Sequence, residues 1–248
     1  MKKIKIINGL SILFAALIFY LLYKFTPTIR ENYENNVIYC FWTGTNEMSK
    51  NRKECFEKLK NISECNVILV TPENLDEYIL PDHPLHPAYP YLSETHKADY
   101  LRTYFMHFYG GGYADIKTPD GSWKSAFSDL QNNDNAHING YRELNPGDIA
   151  APEVSEHYNS LIGNCAYIVK PNTDFTHSWY IAMLKVLDEK LDRLKQNPAT
   201  YPQEKAEDGN GYPIEWNEIL GRIFHKKLMD IQDNILFTVP RPIMTNYR

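Results

Sequence analysis

Residues 96–117 read HKADYLRTYFMHFYGGGYADIK. Ala98, Leu101, Phe105 and Phe108 recur at helical spacing, and Ser93 or Thr95 is placed to cap the helix they define. Gly110-Gly111-Gly112 ends that helix, and Tyr113-Ala114-Asp115-Ile116 reads as a short strand. Asp99 and Arg102 are three residues apart and so share one helical face. The string therefore runs helix, glycine stop, strand, with charged groups at both ends of the turn.

Working outward, Val37–Trp42 (VIYCFW) is a buried strand, Asn46–Asn61 carries helical spacing, and Asn66–Val70 (NVILV) is a second strand. That order implies a parallel pair with a right-handed crossover. Residues 80–92 hold Pro81, Pro84, Pro87 and Pro90 and form a loop. Downstream, Ala166–Val169 reads as a strand, Asp174 caps a long helix to about Lys195, and Glu215–Met229 is a final helix beyond a polar loop at 197–212. The alternation predicts an α/β domain with a mainly parallel central sheet, in which ligands sit at the carboxyl ends of the strands.

The chain has 248 residues, a net charge of −5 and 18 tyrosines. It has no basic stripe, which excludes nucleic acid as an expected partner. Cys40, Cys55, Cys65 and Cys165 match no zinc spacing; Cys55 and Cys65 are either a disulfide or two buried thiols. Residues 6–23 are an apolar run without a charge, preceded by Lys2, Lys3 and Lys5. We read 1–5 as a tail, 6–23 as a transmembrane signal anchor, 24–36 as a polar stem and 37–248 as one domain. There is no GxSxG, P-loop or HExxH, which leaves hydrolase, kinase and zinc-protease chemistry unsupported.

Chemically, an arginine can fork two phosphate oxygens or a sugar hydroxyl, and a carboxylate can accept from sugar hydroxyls. Asp99 and Arg102, followed by Gly111 and Gly112 for close backbone approach and then by Asp115, suit a phosphosugar. The plainer alternative is a surface ion pair ahead of a glycine helix stop, worth a few tenths of a kcal/mol.

As one ordered string, ADYLR, a helix, GGGY and an Asp-centred motif resemble the sugar-binding region of DXD-type glycosyltransferases. More narrowly, the pattern is similar to the capsular-polysaccharide and glycosphingolipid type enzymes of the GT-A, nucleotide-diphospho-sugar transferase fold. The likeness covers 37 to about 130. NGYPIEWNEILGRIFH at 210–225 and the closing Pro240-Arg241-Pro242 also look like bacterial capsule or lipopolysaccharide transferases. The resemblance implies donor-hexose binding at Asp99 and Arg102, the first DXD acid at Asp115, and base stacking near Trp42. It implies a UDP-sugar donor, a glycan or glycolipid acceptor, and retention of anomeric configuration.

The motif departs at its third position, which is Lys117. The second acid would ligate Mn2+ or Mg2+, hard cations that want oxygen ligands. Three readings stay open: Lys117 replaces the metal and balances the diphosphate; Asp120, Glu215 or Glu218, with or without His225, rebuilds a metal site beside Asp115; or the site is inert and the protein only binds glycans. Glu215 is the candidate for acceptor contact and deprotonation, Trp216 for acceptor stacking, with Asp208 nearby. Glu215 and His225 lie ten residues apart, close to three helical turns. His83 and His86, three apart in the proline loop, are a weak metal pair, and Asn61-Ile62-Ser63 is a glycosylation sequon. The expected location is a membrane, facing a Golgi-like lumen in a eukaryote or at the inner membrane in a bacterium.

Overall fold

The computed structural model describes residues 36–201 and 211–247. The expected tail, anchor and stem (up to residue 35) and Asp208 lie outside the described residues. Among the described residues no helix is long and apolar enough to cross a membrane.

The main elements in chain order are β1 (Val37–Phe41), α1 (Lys50–Ser63), β2 (Asn66–Val70), α2 (Glu94–Phe108), β3 (Gly111–Ala114), α3 (Lys124–Gln131), β4 (Ile138–Arg142), β5 (Ile162–Val169), α4 (Asp174–Gln196), α5 (Gly221–Met229) and β6 (Ile235–Leu236). The strands form one sheet in the order β2-β1-β3-β5-β4-β6. β1 is parallel to β2, with Val37 opposite Asn66 and Phe41 opposite Val70, and parallel to β3, with Ile38 opposite Gly112. β6 is parallel to β4.

The sheet is mixed, because β5 runs antiparallel to both β3 and β4. The expectation of a mainly parallel sheet holds: five of the six strands run in one direction and β5 alone is reversed. Parallel strands require a crossover, usually a helix. The β4–β5 connection holds only short 3-10 segments at Pro146–Asp148 and Pro152–Ser160, so the chain doubles back beside the strand it has left. β4 (INGYR) itself has no apolar run, which hides it from a periodicity reading.

Alternate side chains of the sheet feed two cores. Tyr39, Phe41, Tyr113, Tyr167 and Val169 pack with α2, α4 and α5 on one face. Ile38, Cys40, Ala114, Ala166 and Ile168 pack with α1, α3 and Trp123 on the other. The result is a three-layer α/β/α sandwich.

Several boundaries differ from the sequence reading. Ser93, not Thr95, caps α2, its Oγ accepting from His96 N at 3.3 Å. Thr173 caps α4 in a capping box with Thr176, and Asp174 is the first helical residue. The last helix begins at Gly221 instead of Glu215. There Glu218 accepts from Glu215 N at 2.9 Å and pairs with Lys190 at 2.5 Å, which pins 215–220 as a turn. Gly110 and Gly111 have φ of +65° and +82°. A Cβ on Gly111 would meet Val37 O at 2.8 Å, and one on Gly112 would meet Ile38 Cγ1 at 2.9 Å. These two glycines therefore let β3 lie close to β1 in the interior; they do not open backbone to a ligand. All four cysteines are free thiols, which settles Cys55 and Cys65 as unbonded.

Candidate active site at the end of the third strand

Asp115 follows β3 directly, at the carboxyl end of a strand parallel to β1. Its N–H donates to Cys165 O of β5 at 2.8 Å, which fixes the turn that carries Lys117. From α2, Asp99 and Arg102 reach the same point. Arg102 Nη2 lies 3.3 Å from Asp99 Oδ1 and 3.6 Å from Asp115 Oδ1, while Nη1 donates to Asn164 O at 2.8 Å. Its guanidinium sits 3.9 Å over the Tyr113 ring. The Tyr113 hydroxyl donates to Asp115 Oδ1 at 2.5 Å, and Lys117 Nζ donates to Asp115 Oδ2 at 2.8 Å and to Cys165 Sγ at 3.0 Å.

The Asp99–Arg102 pair is buried, so the plain surface-pair alternative does not hold. Asp99, Arg102 and Lys117 are 5 %, 7 % and 6 % exposed, and charges so removed from water must be compensated by partners. The surroundings pull the two carboxyls apart. Burial raises Asp99 to about 7 against the pull of Arg102. Burial would raise Asp115 too, but Lys117, Arg102 and the Tyr113 hydrogen bond hold it at about 2. Burial works against the Lys117 ammonium, yet Asp115 more than offsets that and its proton is held more tightly than usual. Two cations and one firmly ionised carboxylate thus meet beside a second carboxyl that changes charge near neutrality.

The floor beneath them was not legible in the sequence. Arg52 of α1 donates to Ile116 O at 2.8 Å, and Tyr247 lies 4.8 Å from both the Arg52 guanidinium and Lys117 Nζ. Arg102 Nε and Asn164 Oδ1 are buried here without a partner. No local signal marks Asn164, Cys165 or Tyr247; only sheet order brings them to Asp115. Tyr113 stood within the glycine string.

A cleft of about 370 Å3 opens at the carboxyl ends of β1 and β2; none of the four cluster residues lines it. Thr43 follows β1, Thr71 and Pro72 follow β2, Tyr89 comes from the proline loop, and Lys97 and Leu101 come from α2. Trp42 does not line it. The Trp42 ring packs with the α1-side core, and Nε1 donates to Asn46 O at 2.7 Å. The aromatic ring at the cleft is Tyr89.

The C-terminal candidates do not join the cluster. Glu215 pairs with Arg222 at 2.6 Å and Trp216 is 52 % exposed, both on the turn before α5. Trp216 O accepts from His96 Nε2 at 3.2 Å, so this turn rests against the start of α2. His225 is fully buried: Ala150 N–H donates to its Nδ1 at 3.0 Å and Nε2 donates to Ile162 O at 3.2 Å. Backbone groups occupy both nitrogens, and burial lowers the ring to about 4. His225 is a core histidine and cannot offer a lone pair to a metal. Glu218 is held by Lys190, and Asp120 is exposed. Both oxygens of Asp115 are taken by protein donors. This donor set does not fit Mn2+ or Mg2+, whose shells are built from free oxygens. Among the described residues no three His, Cys, Asp or Glu side chains are grouped to hold a metal ion.

Residues 17–117 match the family model described as "Capsular polysaccharide synthesis protein", a span of less than half the chain. It takes in β1 through Lys117 and so includes Asp99, Arg102 and Asp115. No curated protein matches the chain. Among solved structures the chain is similar to one titled "PaToxG Glycosyltransferase", at 14 % identity and a TM-score of 0.45, covering 79 % of this chain and 69 % of that one.

Proposed function

We propose that this chain is a glycosyltransferase that moves a hexose from a UDP-sugar to a glycan or glycolipid acceptor with retention of configuration. The observation that carries the reading is the buried Asp99–Arg102–Asp115–Lys117 cluster at the carboxyl end of β3. Open α/β sheets bind ligands in the crevice at the carboxyl ends of their strands. The similarity of 17–117 to a capsular-polysaccharide synthesis family supports the same chemistry.

In this reading the nucleotide enters the cleft at the ends of β1 and β2, where Tyr89 offers a ring and Thr43 and Thr71 offer hydroxyls. The diphosphate lies toward Arg102 and Lys117. The bond between the hexose C1 and the diphosphate oxygen breaks, and the acceptor hydroxyl oxygen forms the new bond to C1. The acceptor proton leaves with the diphosphate. Charge grows on the leaving diphosphate, and preorganised cations at that point lower the barrier. When Asp99 is protonated the cluster carries one net positive charge; when it is ionised the cluster is neutral. Lys117, seated on Asp115, serves where a second acid and a metal would otherwise stand. Asp99 accepts from hexose hydroxyls. Glu215 and Trp216, on the exposed turn, contact the acceptor. The apolar run at 6–23 anchors the enzyme to a membrane, a Golgi-like lumen or a bacterial inner membrane being the two settings.

The test is UDP release from a panel of UDP-sugars by the full-length protein, with EDTA and then with Mn2+. Turnover that survives EDTA is the expected result. Turnover that appears only with Mn2+ overturns the role given to Lys117. Saturable donor binding without UDP release overturns catalysis and leaves a glycan-binding protein on the same fold.

A further inference from the structure

The cluster at the end of β3 is short of positive charge for the ligand assigned to it. Asp115 offsets Lys117, and Arg102 faces Asp99, so the four side chains carry at most one net positive charge. A terminal phosphate alone carries about −1.5 to −2 at neutral pH, and a diphosphate adds a further anionic oxygen. Charge drawn out of water must be matched by partners. A further cation at this turn would supply the difference.

Arg52 is that cation. It lies in the first turn of α1, where its N–H donates to the capping Ser49 Oγ at 3.2 Å. Its side chain reaches a segment 64 residues away, and Nη1 donates to Ile116 O at 2.8 Å. That carbonyl stands between Asp115 and Lys117 in the chain. The Arg52 guanidinium and Lys117 Nζ each lie 4.8 Å from the centre of the Tyr247 ring. Two cations from separate elements thus rest on one aromatic ring.

The neighbours of Arg52 on α1 show what sets it apart. Lys50 pairs with Glu54 at 3.9 Å, and Lys53 pairs with Glu47 at 3.1 Å. Among the described residues, the Arg52 side chain meets a carbonyl and a ring, and no carboxylate offsets its charge. A guanidinium stays charged at every working pH and carries five donors in a planar fork. One nitrogen is committed to Ile116 O, and the rest of the fork is left for other oxygens. Arg52 is half-buried and is held on both sides before any ligand arrives. A side chain ordered in advance loses little entropy on binding.

We propose that Arg52 is a donor-binding residue that, with Lys117, holds the diphosphate of the nucleotide-sugar, Tyr247 keeping the two cations in place. The inference rests on the reading of this strand end as a diphosphate site. A purely structural Arg52 would only tie α1 to the turn at Ile116. Any neutral donor could do that; the charge matters only to an anion.

The test is calorimetric titration of the full-length protein with UDP and, separately, with uridine, beside Arg52→Gln. The glutamine keeps an amide donor and removes the charge. UDP affinity should fall about tenfold or more while uridine affinity is unchanged, as expected for loss of charged hydrogen bonds to phosphate. Equal losses for UDP and uridine would mean that Arg52 only props the turn, and would overturn the proposal. UDP bound equally by the unaltered protein and by Arg52→Gln overturns this inference alone and leaves the proposed function standing. If the unaltered protein binds neither compound, the proposed function falls and this inference falls with it.

Discussion

The two ends of α2 are built from the same helix and buried to a similar depth, yet they solve burial in opposite ways. At Asp99 and Arg102 the polar groups keep their charges and are matched by Asp115 and Lys117. At His107 the polar group gives up its charge and keeps a lone pair. The first solution suits a charged ligand such as a diphosphate; the second leaves a neutral imidazole among aromatic rings. The difference follows from the neighbours: the turn after β3 brings counter-ions to one end, while α4 brings the Thr176 hydroxyl and the Tyr180 ring, beside Phe108 of α2 itself, to the other.

The largest effect that would test this comparison is at Lys117. Lys117→Met leaves the Asp115 carboxylate, 26 % exposed, with only Arg102 and Tyr113; breaking a fully buried pair costs about 3–5 kcal/mol, which bounds the loss here. Denaturant unfolding should show a loss of that order, and UDP release should vanish. Adding Asp115→Asn to Lys117→Met should restore much of the stability but none of the turnover. If the single change is as mild as a surface substitution, the two ends of α2 do not differ as described.

Acid provides the next test. His96 and His107, near the two ends of α2, and His225 in α5 are each held at about 4 by burial, against an ordinary value of 6.5. Their folded values are lowered, so their stabilising contribution is complete above about pH 6.5 and is lost as pH falls toward 4. Each contributes a slope of about 1.4 kcal/mol per pH unit in that window. Thermal melts from pH 7.5 to 4.5 should fall accordingly. His96→Gln should flatten the curve. Asp99 acts in the opposite sense: its raised value favours the folded state below about pH 4 and loses that advantage as pH rises through 7.

Ser93→Ala removes the cap at the start of α2 and should cost about 1 kcal/mol in denaturant unfolding. The smallest effect is expected at Glu215. It is an exposed partner of Arg222, so Glu215→Gln should change stability by no more than about 0.5 kcal/mol. A fall in acceptor-dependent turnover without a change in donor binding would mark it as an acceptor contact; unchanged turnover would remove it from the site.

Much of the frame could be read from local pattern. Val37–Phe41 and Asn66–Val70 are unbroken apolar runs flanking a helical period, and they pair in parallel as that order requires. The spacing of Asp99 and Arg102 placed them side by side. Asn139 and Gly140 in β4 carry no such signal, because Asn139 is recruited by Ala126 O and Thr238 Oγ1, contacts far off in sequence. His225 was read as sharing a helix face with Glu215, from a count that assumed a helix from Glu215, and the turn pinned by Glu218 breaks that count.

The sequence by itself determined β1, β2, β3, α1, α2 and the bodies of β5 and α4, where α2 stops, and that Asp99, Arg102 and Asp115 belong to one string. Periodicity, caps and glycine are local properties, acting over a few residues. The tertiary structure alone decided that β5 runs against β3, that Cys165 and Tyr247 meet Lys117, and that three distant histidines face one pocket. Those outcomes depend on which strands and helices become neighbours, and the charge state of a buried group is set by the neighbours it is given.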